Sequence, residues 1–229
     1  HKGSATVNAV VEKKEVTVSG IAAENKEYDG GTTATVNASG AIITGKETGD
    51  DLTVSVSAGS TFDSADAGSR TVTLGALTLG GASAGNYKLA ASGNQTTATA
   101  NITAKDVSIS AVTVSDKDYS GNANATVASV TITGVSSALS MGTDFDVTSA
   151  TFPDADADTA NVDVTINVAL KGTAANNYNL TNGMGYVVTS AAKINKATYS
   201  DSAPTKTVNI LKNYAGVQTG TLTAADFFT

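Results

Sequence analysis

A short pattern, Lys-x-Tyr-x-Gly, occurs three times in this 229-residue chain: Lys26-Glu27-Tyr28-Asp29-Gly30, Lys117-Asp118-Tyr119-Ser120-Gly121 and Lys212-Asn213-Tyr214-Ala215-Gly216. A recurrence of roughly ninety residues is too long for a solenoid built from one supersecondary unit and points to tandem small domains. Whole segments fall into register when the tyrosines are aligned, so the repeat is not the chance return of one motif. Val16 falls on Val107, Val18 on Ile109, Val36 on Val127, Asn86-Tyr87 on Asn177-Tyr178 and Leu89 on Leu180.

This frame places module one at residues 13–104 and module two at 105–196. Thr6 to Val11 aligns with Thr97 to Ile102, so residues 1–12 are expected to be the last strand of a preceding repeat. Thr219-Gly220-Thr221-Leu222 aligns with Thr33 to Val36 and with Asn124 to Val127, so residues 197–229 are expected to be the start of a truncated third repeat. The chain therefore reads as a cut from a longer array. No Pro- or Gly-rich linker separates the modules: Ile102-Thr103-Ala104-Lys105-Asp106-Val107 runs from a closing strand almost directly into an opening one. A connection that short limits hinge motion.

Apolar residues alternate with polar ones in Leu52-Thr53-Val54-Ser55-Val56, Thr71-Val72-Thr73-Leu74, Val130-Thr131-Ile132 and Val162-Asp163-Val164-Thr165-Ile166-Asn167-Val168. Period two puts the branched side chains of each run on one face of a sheet. No stretch holds a helical period; the loops at Ser64 to Gly68 and Asp154 to Ala160 have room for one turn of helix at most. The expected class is all-β, as tandem small β-modules. An immunoglobulin-like sandwich is the first choice, with a β-grasp-like or other compact β-fold as the alternative, because strand order is not written in the sequence.

Composition narrows the setting. Apolar residues are 41% of the chain but aromatics only 5%, and tryptophan is absent, so the cores are expected to be thin and made of small branched side chains. The formal charge of −7 disfavours nucleic acid, which needs clustered Lys or Arg. With no cysteine, disulfides, thiolate metal sites and cysteine nucleophiles are excluded. Abundant Thr, Ser, Asn and Gly fit an exported β-protein, and no apolar run reaches the length of a membrane span.

With the repeats laid out, the chain resembles the YDG and related MBG repeat domains of bacterial surface adhesins. The resemblance rests on Tyr28-Asp29-Gly30 with Thr32-Thr33, on Ala84-Gly85-Asn86-Tyr87 and on Ala100-Asn101-Ile102-Thr103-Ala104-Lys105. Module two departs from it at Tyr119-Ser120-Gly121 and Ala175-Asn176-Asn177-Tyr178. It implies a secreted, modular stalk or adhesin segment at the bacterial cell surface, and it supplies no catalytic or ligand residue.

The recurring tyrosines Tyr28, Tyr119 and Tyr214 invite a sugar-stacking role, yet a structural one is better motivated. Asp29-Gly30, like Gly121 and Gly216 in the other copies, suits a tight turn with positive φ, and the tyrosine ring can be buried at the module edge. The candidate metal motif is Asp154, Asp156 and Asp158, three alternating carboxylates that offer hard oxygens to calcium, the one candidate cofactor. Against it, the loop has no glycine at the sharp turn, and a solvated acidic loop is the plainer reading. Lys14, Lys105 and Lys196 near strand starts raise the idea of Lys–Asn isopeptide crosslinks. Catalysis has little to work with, since the only histidine is His1 and the paired carboxylates Asp50-Asp51 and Asp144 with Asp146 lack an aromatic-lined cleft.

The expected function is thus non-enzymatic: a structural stalk or adhesion segment of a bacterial surface protein. The alternative is a module that itself binds host or microbial glycans or surface proteins.

Overall fold

The computed structural model describes residues 10–198 and, beyond them, the backbone of the strands Thr207–Leu211 and Val217–Thr221, which pair as an antiparallel hairpin. Of residues 1–12, where the last strand of a preceding repeat was expected, residues 1–9 lie outside the described residues, as do Tyr214 and Gly216 of the third motif. The chain is all-β in tandem modules, as its alternating pattern predicts. Among the described residues no helix is long and apolar enough to cross a membrane.

In module two, Lys105–Ser115 is the central strand of a mixed sheet, antiparallel to Thr126–Thr133 and parallel to Tyr178–Leu180. Val162–Leu170 is central in a second, antiparallel sheet between Phe145–Thr151 and Tyr186–Ala192. A short parallel pair, Lys117–Asp118 with Ile194–Asn195, ties the start of the module to its end. Period two is visible in the burial: Val164, Ile166 and Val168 are buried while Asp163 and Thr165 beside them are exposed. Each such Val or Ile contributes roughly 1.5–3 kcal/mol on leaving water. One cluster collects them, with Phe145, Phe152, Val107, Ile109 and Ile194.

Module one repeats this plan in shorter pieces. Lys14–Ser19 is antiparallel to Ile42–Thr44 and parallel to Tyr87–Leu89, and Lys26–Glu27 is parallel to the end of Thr97–Thr103. Thr97–Thr103 also pairs antiparallel with Gly68–Thr73, whose other neighbour is Thr61–Phe62. Beside their antiparallel ladders the modules carry parallel pairs between distant strands, which no local pattern encodes. At Gly20 the first strand ends in a left-handed residue, φ 78°, where a Cβ would stand 2.8 Å from the Gly40 carbonyl oxygen. The aligned position in module two is Ala111, and there the strand runs on through a bulge. Ala104 alone separates the last strand of module one from the first of module two.

Candidate functional site at the module joint

The first Lys-x-Tyr-x-Gly motif stands where module one meets module two. Lys26–Glu27 lies parallel to Ile102 and Thr103, and the Tyr28 N–H donates to the Thr103 carbonyl at 2.9 Å, so the tyrosine starts from the strand that leads into module two. The chain then reverses through Gly30, φ 80°, a conformation that favours glycine. Asp29 Oδ1 accepts the Gly31 N–H and the Lys26 Nζ, each at 2.8 Å, and Lys26 Nζ also donates to the Gly31 carbonyl at 2.7 Å. The same ammonium lies 5.5 Å from the Phe62 ring centroid, a cation–π contact that fastens the turn to the core of module one.

Held this way, the Tyr28 ring packs against the cores of both modules. It meets Tyr178 of module two edge to face, with centroids 5.2 Å apart and planes at 84°. Such pairs are worth about 0.5–1.5 kcal/mol beyond their burial. Burial, and then the neighbouring Tyr178 and Asp66, push the Tyr28 hydroxyl above its ordinary pKa, against the opposing effect of a hydrogen bond with Asn177.

Asn177, just before Tyr178, is 3% exposed, and both ends of its amide are used across the joint. Its Oδ1 accepts the Ala67 N–H at 2.7 Å and its Nδ2 donates to Asp66 Oδ1 at 2.8 Å. The receiving loop is itself braced, since Arg70 Nε donates to the Asp66 carbonyl at 2.8 Å, Arg70 Nη2 to the Ala67 carbonyl at 3.1 Å, and the Asp66 N–H to Ser64 Oγ at 3.1 Å. Burying an amide unpaired costs roughly 1–3 kcal/mol, so this matched clamp selects one arrangement of the two modules. On the far side Tyr178 Oη accepts the Ser136 N–H at 2.9 Å.

The other sequence candidates fall elsewhere. Tyr119 starts from the equivalent place in module two, its N–H donating to the Asn195 carbonyl at 2.9 Å before Gly121 at φ 73°, but the residue is 48% exposed. Asp154 Oδ1 accepts the N–H of Asp156 at 2.9 Å, and the Asp158 N–H donates to the Ile194 carbonyl. Among the described residues no three Asp, Glu or His side chains gather as a metal-binding group, Asp154, Asp156 and Asp158 included. Lys14 is exposed and ion-paired with Glu47, and Lys196 is exposed; neither is buried in the apolar setting that an isopeptide bond needs.

The paired carboxylates are taken up by local hydrogen bonds and an ion pair. Asp51 Oδ2 accepts the Ala82 N–H at 2.9 Å, Asp144 Oδ2 accepts the Ser140 N–H at 2.8 Å, and Asp146 pairs with Lys171 at 2.9 Å. A cleft at the joint, bounded by Tyr28, Leu139, Asp144 and Thr173, measures about 110 Å³, well under the several hundred that small-molecule sites occupy. A depression of about 420 Å³ beside Ala41, Ile43 and Val54 and another of about 450 Å³ beside Leu74, Leu77 and Leu89 have no ionisable residue in their walls.

Sequence reasoning missed Asp66, Ala67 and the role of Asn177. A signal was present: Phe62-Asp63-Ser64-Ala65-Asp66-Ala67 aligns with Phe152-Pro153-Asp154-Ala155-Asp156-Ala157, and an Asn-Tyr pair stands at the same place in each module. Comparison with curated proteins and with solved structures returns no match. Comparison with known families matches the YDG domain twice, over residues 12–99 and 103–186. Those two matches cover well over half of the chain, which therefore belongs to the YDG domain family and carries that domain in tandem.

Proposed function

We propose that this chain is a non-enzymatic structural segment of a secreted bacterial cell-surface adhesin, in which successive YDG modules space a distal binding region from the envelope. The observation that carries the reading is the joint. Covalently linked domains ordinarily move against one another unless their interface is large or specific. Here a single residue, Ala104, links the strands, and the Asn177 amide and the Tyr28–Tyr178 pair lock the approach. The absence of cysteine, the polar β-rich composition and the acidic balance support an extracellular setting.

The test pairs two measurements on the 229-residue chain. Spin labels on the two modules should report one narrow distance, and a screen against immobilised host and microbial glycans and surface proteins should find no saturable binding. Specific saturable binding overturns the spacer reading and makes the modules themselves adhesive; a broad distance distribution removes its mechanical basis.

A further inference from the structure

Each half of the joint is present a second time in the molecule, away from the contact it makes between modules one and two. The Asn-Tyr half recurs at Asn86-Tyr87 of module one. Tyr87 is buried like Tyr178 and its hydroxyl accepts the Glu47 N–H at 3.1 Å, as that of Tyr178 accepts the Ser136 N–H. Asn86 is exposed, whereas Asn177 is buried by the clamp.

The receiving half recurs in module two. Tyr119 hangs from Asn195 as Tyr28 hangs from Thr103. The Asp156 N–H is held by Asp154 Oδ1 at 2.9 Å, as the Asp66 N–H is held by Ser64 Oγ at 3.1 Å. Two residues on, the Asp158 N–H bonds the Ile194 carbonyl, as the equivalent Gly68 pairs with Ile102. By alignment and by these backbone bonds, Asp156 and Ala157 correspond to Asp66 and Ala67, the residues that grip Asn177.

We propose that Tyr119, Asp156 and Ala157 form a docking surface for the Asn-Tyr corner of another YDG module, met in a second copy of this chain at Asn86-Tyr87. The occupant is specified by the filled joint, which shows what an Asp-Ala loop and a Lys-x-Tyr-x-Gly tyrosine bind: an asparagine amide and the tyrosine edge behind it. Because the two halves sit on different modules, copies join head to tail, a heterologous contact that propagates instead of closing into a symmetric pair. The acidic loop that resembles a calcium site is, on this account, an amide receptor. Its grip is weaker than that of module one, because Val162 and Ala160 stand near where Arg70 braces the first loop, and Asp154 and Asp158 replace Ser64 and Gly68.

Between separate chains the contact lacks the high effective concentration that the single-residue linker gives within one, so it is read at up to about 1 mM protein. Sedimentation equilibrium of the full chain should show reversible, open-ended self-association. Asn86→Ala and Asp156→Ala, both at exposed positions, should each weaken it by about tenfold or more, and Tyr119→Ala likewise. Circular dichroism verifies that each variant is folded. The decisive mixture combines the Asn86→Ala chain with the Asp156→Ala chain. Each alone stays monomeric, while together they form dimers that stop at two, since each supplies the half the other lacks. A chain that stays monomeric throughout this range, association indifferent to these substitutions, or two single variants that fail to complement one another overturns the proposal.

Discussion

Module two gathers its buried side chains into one cluster running from Val107 to Ile194, whereas module one divides them between Phe62, Val72, Ala100 and Ile102 on one side and Val16, Leu52 and Tyr87 on the other. The strands account for the division. Lys105–Ser115 absorbs an extra residue at Ser110 as a bulge and continues, but its counterpart stops at Ser19, turns at Gly20 and resumes as Ala22–Ala23. Val162–Leu170 is likewise continuous where module one has Gly68–Thr73 and then Leu77–Gly80. A continuous strand carries inward-facing side chains from one end of a module to the other, and a broken one isolates them. The same family frame therefore accommodates either one continuous core or two smaller ones.

The largest effect is expected from Phe145→Ala, which empties a fully buried site in the continuous core. A loss of about 3–5 kcal/mol should unfold module two as a whole in urea, with amide exchange rising together along Lys105–Ser115 and Val162–Leu170. In module one, Leu52→Ala costs about 2 kcal/mol or more, and exchange should rise around Val16 and Tyr87 while Gly68–Thr73 stays protected. Equal loss of protection on both sides of module one would show that its two clusters act as one.

Next comes Asn177→Ala, which leaves the Asp66 carboxylate and the Ala67 N–H without their partner at the joint, for about 1–3 kcal/mol. Calorimetry should resolve one broad transition into two, one per module. Asn86→Ala, at the exposed equivalent, should change the monomer's stability by no more than about 0.5 kcal/mol. Gly20→Ala forces a side chain into the left-handed region against the Gly40 carbonyl and should cost about 1–2 kcal/mol, whereas Ala111→Gly in the uninterrupted strand should cost less than about 1 kcal/mol.

The smallest effect is a pH dependence confined to module one. The Lys26 ammonium first, and then the Gly31 N–H, hold the Asp29 carboxyl below the usual carboxylate range. A depressed folded-state pKa means that the contribution is complete above the unfolded value and disappears as pH falls through the folded one. Asp29 is largely exposed, so the effect is well under about 1 kcal/mol, and it should vanish in Asp29→Ser. Module two already has Ser120 at this position and should show no such component in acid denaturation.

Much of the architecture was legible because it is local. Alternation in Val162 to Val168 states which side chains face inward, and the registered motifs state that the pattern occurs twice. The parallel pairing of Lys14–Ser19 with Tyr87–Leu89 was not legible, since nothing in either segment names its partner across the module. Gly20 and Ala111 look like an ordinary difference in a repeat until their strands are compared, when one proves to be a break and the other part of a bulge. At the site, the tyrosines and Asn-Tyr pairs stood out by recurrence, while Asp156 drew attention only as one of three alternating carboxylates.

By itself the sequence determined the class of structure, the tandem order and the faces of the strands, because each follows from backbone periodicity and from glycine at turns. Only the tertiary structure decided what Lys-x-Tyr-x-Gly does. Asn177 and Asp66 stand 111 positions apart, and their contact exists because a one-residue connection and two folded modules bring a loop of the first against a corner of the second. A hydrogen bond of that kind is a property of relative placement, so Tyr28 and Tyr119 share a motif while one is packed into a joint and the other is half exposed.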